Sequence, residues 1–385
     1  IPLMKKSGFD PEFSGAVETA ASSGGQLMPP VMGAAAFIMA DYIGSYQEVL
    51  TAAIIPAILF YIALFIMIDL EALKKDLRGQ NKEELPSFME ELKKGWLLLM
   101  PLVLLVFLLV GVRYSAQKSA FFSIIFLIII MLVYPGKKRS ISEILHLIAS
   151  SSKGMVSVAL TTGTAGIIVG MLMLTGVGYK LSSLLISLSQ GNVMLLLVLT
   201  MLTSVILGMG MPTSAAYVLL ATLIVPALEN LGIAKIAAHF FVFYFGIMAN
   251  VTPPVAVAAY TAAGIAKGDA MKTGFVAWRL SLAGFLMPFM FCMNPALLGK
   301  GTKGEIILAI ISALIGAYGL ATAVQRYFKG NLSWPKTIIV LLGSVSTMMP
   351  GVKSDIFGLI CLGTIYTLQI IKSKKSYNEG EVNVI

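Results

Sequence analysis

The chain has 385 residues, 57% of them hydrophobic and 12% charged, with a net charge of +9, whereas a soluble domain carries roughly a quarter charged residues. That balance excludes a water-soluble globular domain, and two cysteines without CxxC spacing, Cys292 and Cys361, exclude a disulfide framework or thiolate metal knuckle. The basic excess sits in short loops between apolar stretches, not in a stripe with interleaved aromatics, which argues against nucleic acid as a partner and for a lipid bilayer.

In chain order, the first element is a broken helix. Apolar Phe13–Ala21 and Val31–Ala40 flank S-S-G-G-Q-L-M-P-P, Ser22 to Pro30. Two glycines and two prolines do not continue a regular helix, and backbone groups freed at membrane depth are tolerated only where protein or a water-filled cavity satisfies them. The carbonyls of Ser22, Ser23, Gly24 and Gly25, with the two hydroxyls, are therefore candidate oxygen ligands for a small cation such as sodium. The bland alternative is a kink at Pro29-Pro30 that serves packing. Glu18, in A-V-E-T-A-A, is an acid at membrane depth; such residues face a cavity or a partner. Glu18 is a candidate coupling group, with bracing of the break as the structural alternative.

A membrane helix needs roughly 20 apolar residues, and Val49–Ile68 is the first plain span. Asp69 to Gly95 mixes acidic and basic residues around Pro86 and reads as a solvated connector. Spans follow at Trp96–Val112, Phe121–Tyr134 and Met155–Thr175, with an expected interfacial helix over Ser140–Lys153. Two uncharged arms, Asn192–Leu207 and Ala215–Leu228, then enclose G-M-G-M-P-T-S, in which Gly208, Gly210 and Pro212 break the helix and Thr213 and Ser214 offer oxygens. This predicts a re-entrant hairpin. A second broken helix joins His239–Met248 to Val255–Ala266 through A-N-V-T-P-P, with Asn250 and Thr252 as candidate ion or substrate contacts and Pro253 and Pro254 as the break. Spans at Val276–Leu298, Ile306–Ala323, Thr337–Met349 and Ile356–Ile371 complete about ten crossings, and the polar tail from Lys372 is expected to be disordered.

Sliding the chain by 224 residues superposes Pro2 on Pro226, Gly8 on Gly232, Pro29-Pro30-Val31 on Pro253-Pro254-Val255, Ala34-Ala35 on Ala258-Ala259 and Gly44 on Gly268. Counting crossings gives the copies opposite orientations, and paired broken helices in inverted repeats point to a site near the bilayer midplane. The expected fold is an all-α polytopic membrane protein with inverted repeats, a re-entrant hairpin and broken helices. Its parts are residues 1–68, the end of the first repeat; 69–95, a cytoplasmic connector; 96–298, the second repeat; and 299–385, an appended module. Placing most of the 28 Lys and Arg inside puts the C-terminus in the cytoplasm. The chain begins Ile-Pro-Leu-Met, without an initiator Met, and by the repeat offset it reads as the C-terminal portion of a longer polypeptide whose first hairpin tip lies upstream. No nucleophile with its base and no G-x-x-x-x-G-K loop occurs, so neither an enzyme nor an ATP-driven pump is expected.

Three stretches, Ala16 to Asp41, Gly208 to Tyr217 and His239 to Tyr260, with N-P-A-L-L at Asn294 to Leu298, resemble the large permease of tripartite ATP-independent periplasmic (TRAP) transporters, in particular the fused permeases of the TAXI subgroup. The resemblance implies an elevator-type secondary transporter in the inner membrane. It implies an extracytoplasmic substrate-binding protein that delivers an organic anion, typically a carboxylate, a small-subunit region fused or separate, and coupling to sodium or protons. It implies no cofactor beyond a sodium ion. A sodium/dicarboxylate symporter that needs no binding protein, and a structural membrane subunit, are the rival readings.

Overall fold

The computed structural model describes residues 1–77, 87–133 and 140–382. Among the described residues there is no β-strand, only an isolated bridge between Tyr327 and Asn331. In the first repeat, α1 (Pro2–Lys6) leads into α2 (Pro11–Gly25), α3 (Ala34–Ile43) and α4 (Tyr46–Lys74). Next come α5 (Phe88–Val106), extended by a π-helical turn over Phe107–Gly111, α6 (Ala116–Val133), α7 (Ile141–Thr175) and α8 (Val177–Ser189). The hairpin is α9 (Val193–Gly208) with α10 (Thr213–Leu223) and α11 (Val225–Asn230). The second broken helix is α12 (Lys235–Met248), a 3₁₀ turn over Ala249–Val251, and α13 (Val257–Ala266). Then α14 (Ala270–Leu280) and α15 (Leu282–Met293) precede a 3₁₀ turn at Pro295–Leu298, and α16 (Lys303–Gln325), α17 (Trp334–Met348) and α18 (Val352–Val382) close the chain.

Local chemistry sets several of these starts. Ser45 and Asp269 accept from the amides of Glu48 and Lys272, and Ser140–Glu143 and Thr302–Glu305 form reciprocal capping boxes. Among the described residues, six helical segments are long and apolar enough to cross a membrane, or seven if the α7–α8 pair, bent by 72°, is one span. The expectation of about ten crossings includes apolar stretches that form shorter helices. Gly95–Gly111, α13 and α12 with its turn are among these, and α17 has only 15 residues; of the two arms expected in a re-entrant hairpin, α9 is short, whereas Thr213–Asn230 is itself long enough to cross.

Four other expectations change. The first break lies a turn later than expected, because α2 runs through Ser22, Ser23, Gly24 and Gly25 and stops at Gln26. Ser140–Lys153 is no separate surface helix; its capped start opens the 35-residue α7, and the bend comes at Gly176, in the left-handed conformation at φ 66. The expected span Val276–Leu298 begins and ends earlier: one segment of membrane-crossing length runs over Ala270–Met293, with a turn at Ser281, and Pro295–Leu298 is a separate 3₁₀ turn. The tail continues α18 to Val382. The middle of the expected connector, residues 78–86, and the basic cluster at 137–139 lie outside the described residues.

The 224-residue repeat is written into the backbone. α2 starts at Pro11 and α12 at Lys235, while α4 starts at Tyr46 and α14 at Ala270, each pair at that offset. Gly8 and Gly232 are both left-handed, at φ 99 and 85, and so are Met32 and Ala256, at φ 54 and 30. Left-handed residues with a side chain are uncommon, so a matched pair marks one backbone used twice. Both diprolines carry a cis bond. The copies interleave: α2 packs on α13 and α14, and α3 on α10 and α12. Lys5 Nζ donates to the Ala266 carbonyl at 2.6 Å, and Lys272 pairs with Glu12 at 3.5 Å. At the centre lies α12, apolar on every side as a fully enclosed helix must be; Phe240, Phe241, Phe243 and Phe245 are entirely buried.

Candidate functional site

The hairpin tip and the second break meet. A Cβ placed on Gly208 would lie 2.9 Å from the Ala249 Cβ, nearer than real Cβ atoms approach, so only glycine permits this seat. Gly210, at φ +77, faces Val255 across ordinary van der Waals distance. Asn250 Nδ2 lies 3.4 Å from both Thr213 Oγ1 and the Gly246 carbonyl. Those are long for hydrogen bonds, whose usual N···O spacing is about 2.9–3.0 Å, so the notch is polar but not tightly closed. Thr213 is the first residue of α10 after Pro212, and no side chain caps that helix start, which leaves its leading N–H groups directed at the tip. Ser214 is buried behind it. Thr252 Oγ1 donates to the Met248 carbonyl at 2.7 Å, so its proton is committed to its own chain. Pro253 and Pro254 follow, and the Pro254 carbonyl accepts from the Tyr260 hydroxyl.

The first break is differently furnished. Glu18 and Ser22 are exposed on α2, and Ser22 Oγ donates to Glu18 Oε1 at 2.7 Å. Ser23 and Gly24 are buried, Gly25 exposed. The carbonyls of Ser23, Gly24 and Gly25 accept from Gln26, Leu27 and Met28 at 3.2, 2.8 and 3.3 Å, so the turn uses one lone pair of each. Tyr61 Oη donates to the Ala21 carbonyl at 2.7 Å, and Tyr46 Oη to that of Pro30 at 2.8 Å. Beyond Pro29-Pro30 the chain returns through Gly33, whose N–H donates to the Gln26 carbonyl at 3.0 Å.

One ring joins the two breaks. A Cβ on Gly24 would sit 2.3 Å from Phe60 Cε1, and a Cβ on Gly284 would sit 2.8 Å from Met248 Sδ and 3.1 Å from Phe60 Cε2. Phe60 and Met248 are fully buried. These four residues form two equivalent pairs at the repeat offset, Gly24 with Met248 and Phe60 with Gly284. The copies therefore meet at this point with bulk exchanged between them: small on α2 and large on α4 in one, large on α12 and small on α15 in the other.

Of the candidates read from the sequence, Gly208, Gly210, Thr213 and Asn250 form one notch with Pro212, while Gly24, from the Ser22–Gly25 stretch, is joined to it through Phe60 and Met248. Glu18 stands apart with Ser22. Sequence reasoning misses Phe60, Met248 and Gly284, whose signal lies in the repeat offset once volumes are compared. The His239 ring is buried, with Nδ1 2.8 Å from Tyr217 Oη and the ring beside Tyr42. Among the described residues no group of three or more His, Cys, Asp or Glu could hold a metal ion, so a cation in the notch would rest on neutral oxygens.

Two helices broken at equivalent positions, interleaved inside a bundle of apolar helices, define an all-α polytopic membrane protein. Residues 1–306 match the family model of the tripartite ATP-independent periplasmic transporter, DctM component, and the chain belongs to that family. It is a transporter permease, spanning the membrane several times. It is 22% identical over 302 residues to the uncharacterized protein YgiK of Salmonella typhimurium, covering 77% of this chain and 67% of that one. It is 23% identical over 270 residues to the isethionate TRAP transporter permease protein DctMQ of Oleidesulfovibrio alaskensis, covering 69% of this chain and 42% of the relative, so the match spans about two fifths of the latter's length.

Proposed function

We propose that the notch between Gly208–Ser214 and Ala249–Pro254, linked through Phe60 to the Ser22–Pro30 break, is where a coupling cation and an organic anion are held during import. The carrying observation is the junction itself: Gly208 seated on Ala249 at a distance only glycine allows, with Asn250 reaching Thr213 across the same contact. Hydroxyl, amide and carbonyl oxygens suit a hard cation. The uncapped start of α10 supplies N–H groups and the positive end of a helix dipole, which suit a carboxylate. The chain then works as the permease of a secondary importer in the inner membrane, with its C-terminus in the cytoplasm. An extracytoplasmic binding protein delivers the anion, a small subunit is fused or separate, and a sodium or proton gradient drives uptake. The hairpin and both breaks move together, elevator-fashion, because the Phe60 contact makes them one packed body.

The test is uptake of labelled carboxylates by the complete permease in proteoliposomes, with its binding protein, under imposed sodium or proton gradients. Gradient-driven uptake that needs the binding protein and weakens in Asn250→Ala is the expected result. Uptake without the binding protein would instead favour a stand-alone symporter, and uptake unchanged in Asn250→Ala would remove the notch from the mechanism.

A further inference from the structure

The family match ends at residue 306, in the first turn of α16, so α16–α18 lie almost wholly beyond it. These helices are nonetheless fastened to the region that carries the breaks. α16 runs beside α4 in the same direction and is held at both ends. Just ahead of α16, Lys300 Nζ lies 2.8 Å from Glu48 Oε1 in the first turn of α4. At the far end, the buried Gln325 amide donates to the Met67 carbonyl at 2.8 Å, and Lys74 Nζ donates to the Gln325 carbonyl at 3.3 Å. Between these ties Ala309, Ala313, Ala317 and Ala321, four residues apart and buried, belong to the same apolar core as Phe60 and Met67 of α4. Small side chains of this kind let helix backbones approach closely in a membrane.

The other two helices are interlocked with α16. A Cβ on Gly316 would lie 2.8 Å from Thr347 Oγ1, and one on Gly319 would lie 2.9 Å from Leu362 Cδ2, nearer than real Cβ atoms approach. Thr322 Oγ1 is 2.7 Å from Tyr366 Oη, and Leu332, Val340 and Leu362 form a second small core. α15, the repeat equivalent of the middle of α4, is not gripped in this way: an apolar cavity of about 210 Å³ separates Leu286 and Met290 from Val345 and Met348. The three helices therefore hold on through α4. That helix supplies the Phe60 ring between Gly24 and Gly284, and its Tyr46 and Tyr61 hydroxyls donate to the Pro30 and Ala21 carbonyls of the first break. By contrast α5 and α6 pack chiefly on each other. Over half of the apolar stretch of α4 is buried, against 17% in α6.

We propose that α16–α18 ride with the broken helices as part of the moving body, where they back α4, and do not belong to the fixed frame that holds α5 and α6. Sliding α16 along α4 would strip the Gln325 amide and the Met67 carbonyl of each other inside the protein, and buried polar groups left unpaired are costly. It would also pull apart a close-packed core, which shifts between discrete arrangements and does not deform continuously. The surface along which the molecule can shear falls instead on the α5–α6 side, where little packing is lost. This inference rests on the elevator reading of the notch.

The test is a set of three distances. Spin labels carried on a noncanonical amino acid at Ile265 of α13, Ile360 of α18 and Ile124 of α6 occupy exposed positions and leave Cys292 and Cys361 untouched. The complete permease, labelled at two positions at a time in proteoliposomes, is measured by double electron–electron resonance without sodium, with sodium, and with sodium and the binding protein, at neutral and at acid pH. The expected result is that the Ile124–Ile265 and Ile124–Ile360 distances both shift by about 5 Å or more, one helical turn, while Ile265–Ile360 stays fixed. A shift of Ile265 against both Ile124 and Ile360 would overturn the proposal, placing α16–α18 in the fixed frame and leaving the elevator reading intact. An Ile124–Ile265 distance that holds one value under every condition would remove the elevator reading and this inference with it.

Discussion

The two broken helices share a backbone and differ in what is laid on it. In the second, Asn250 and Thr252 stand where the first has Gln26 and Met28, and Asn250 reaches outward to Thr213 of the hairpin. In the first, Gln26 folds over its own turn, so close that a Cβ on Gly33 would come within 3.1 Å of Gln26 Oε1. Even a shared need is met differently: the second proline carbonyl of each break accepts from a tyrosine hydroxyl, yet Tyr46 and Tyr260 occupy non-equivalent positions. What the repeat preserves is the course of the chain and the total volume at its centre, not the residue at each position.

The largest expected effect comes from disturbing that volume. Gly24→Ala drives a Cβ against the ring of fully buried Phe60, and overpacking of this kind typically costs about 1–3 kcal/mol. Uptake should fall about tenfold or more, with a lower unfolding temperature in detergent. Adding Phe60→Ala should recover part of the loss, with a coupling of roughly 0.5–3 kcal/mol in the double-mutant cycle; simple additivity would mean the two do not share the space. A sharper form transposes the set: Gly24→Met, Phe60→Gly, Met248→Gly and Gly284→Phe together. If bulk is interchangeable between the copies, the fourfold variant is more heat-stable than Phe60→Gly alone.

A smaller effect separates the two breaks chemically. Asn250→Ala removes the contact to Thr213 and should weaken uptake by about tenfold, roughly 1.4 kcal/mol, most visibly when the driving cation is scarce. Gln26→Ala, at the equivalent position but turned onto its own loop, should change uptake by less than about threefold. Equal losses, measured as uptake against cation concentration, would mean the copies contribute alike.

Much of this is legible in the sequence because glycine and proline announce themselves. The offset, both breaks and the hairpin tip can be read from Gly8, Gly232, the two diprolines and Gly208–Pro212. The rest is hidden for physical reasons. Gly24 and Gly25 look like helix breakers, but Gly24, enclosed by protein, lets the Phe60 ring approach, and α2 continues to Gly25. Ser140 reads as the start of a surface helix; the capping box is real, but nothing between Lys153 and Met155 stops the helix, so α7 runs on. The exchange between Phe60 and Gly284 has no signature in either copy alone, since it is a relation between unlike residues.

The smallest expected effect concerns Glu18, the one acid in the membrane-depth part of the first broken helix. Its equivalent at the repeat offset is Val242, wholly buried in α12, whereas Glu18 is exposed on α2. An acid present in one copy and replaced by a packed valine in the other is not required by the shared backbone. Its visible role is to accept the Ser22 hydroxyl one turn on. Glu18→Gln keeps an oxygen in that position, so sodium-driven uptake should stay within about threefold of the parent, roughly 0.6 kcal/mol, and Ser22→Ala should shift it by a similar amount in the same direction. If Glu18 instead carries the coupling proton, Glu18→Gln abolishes proton-driven uptake while Ser22→Ala does not, because only the first removes a titratable group. The two variants measured side by side under each gradient thus decide whether the first copy differs from the second only in its packing or also in holding the proton.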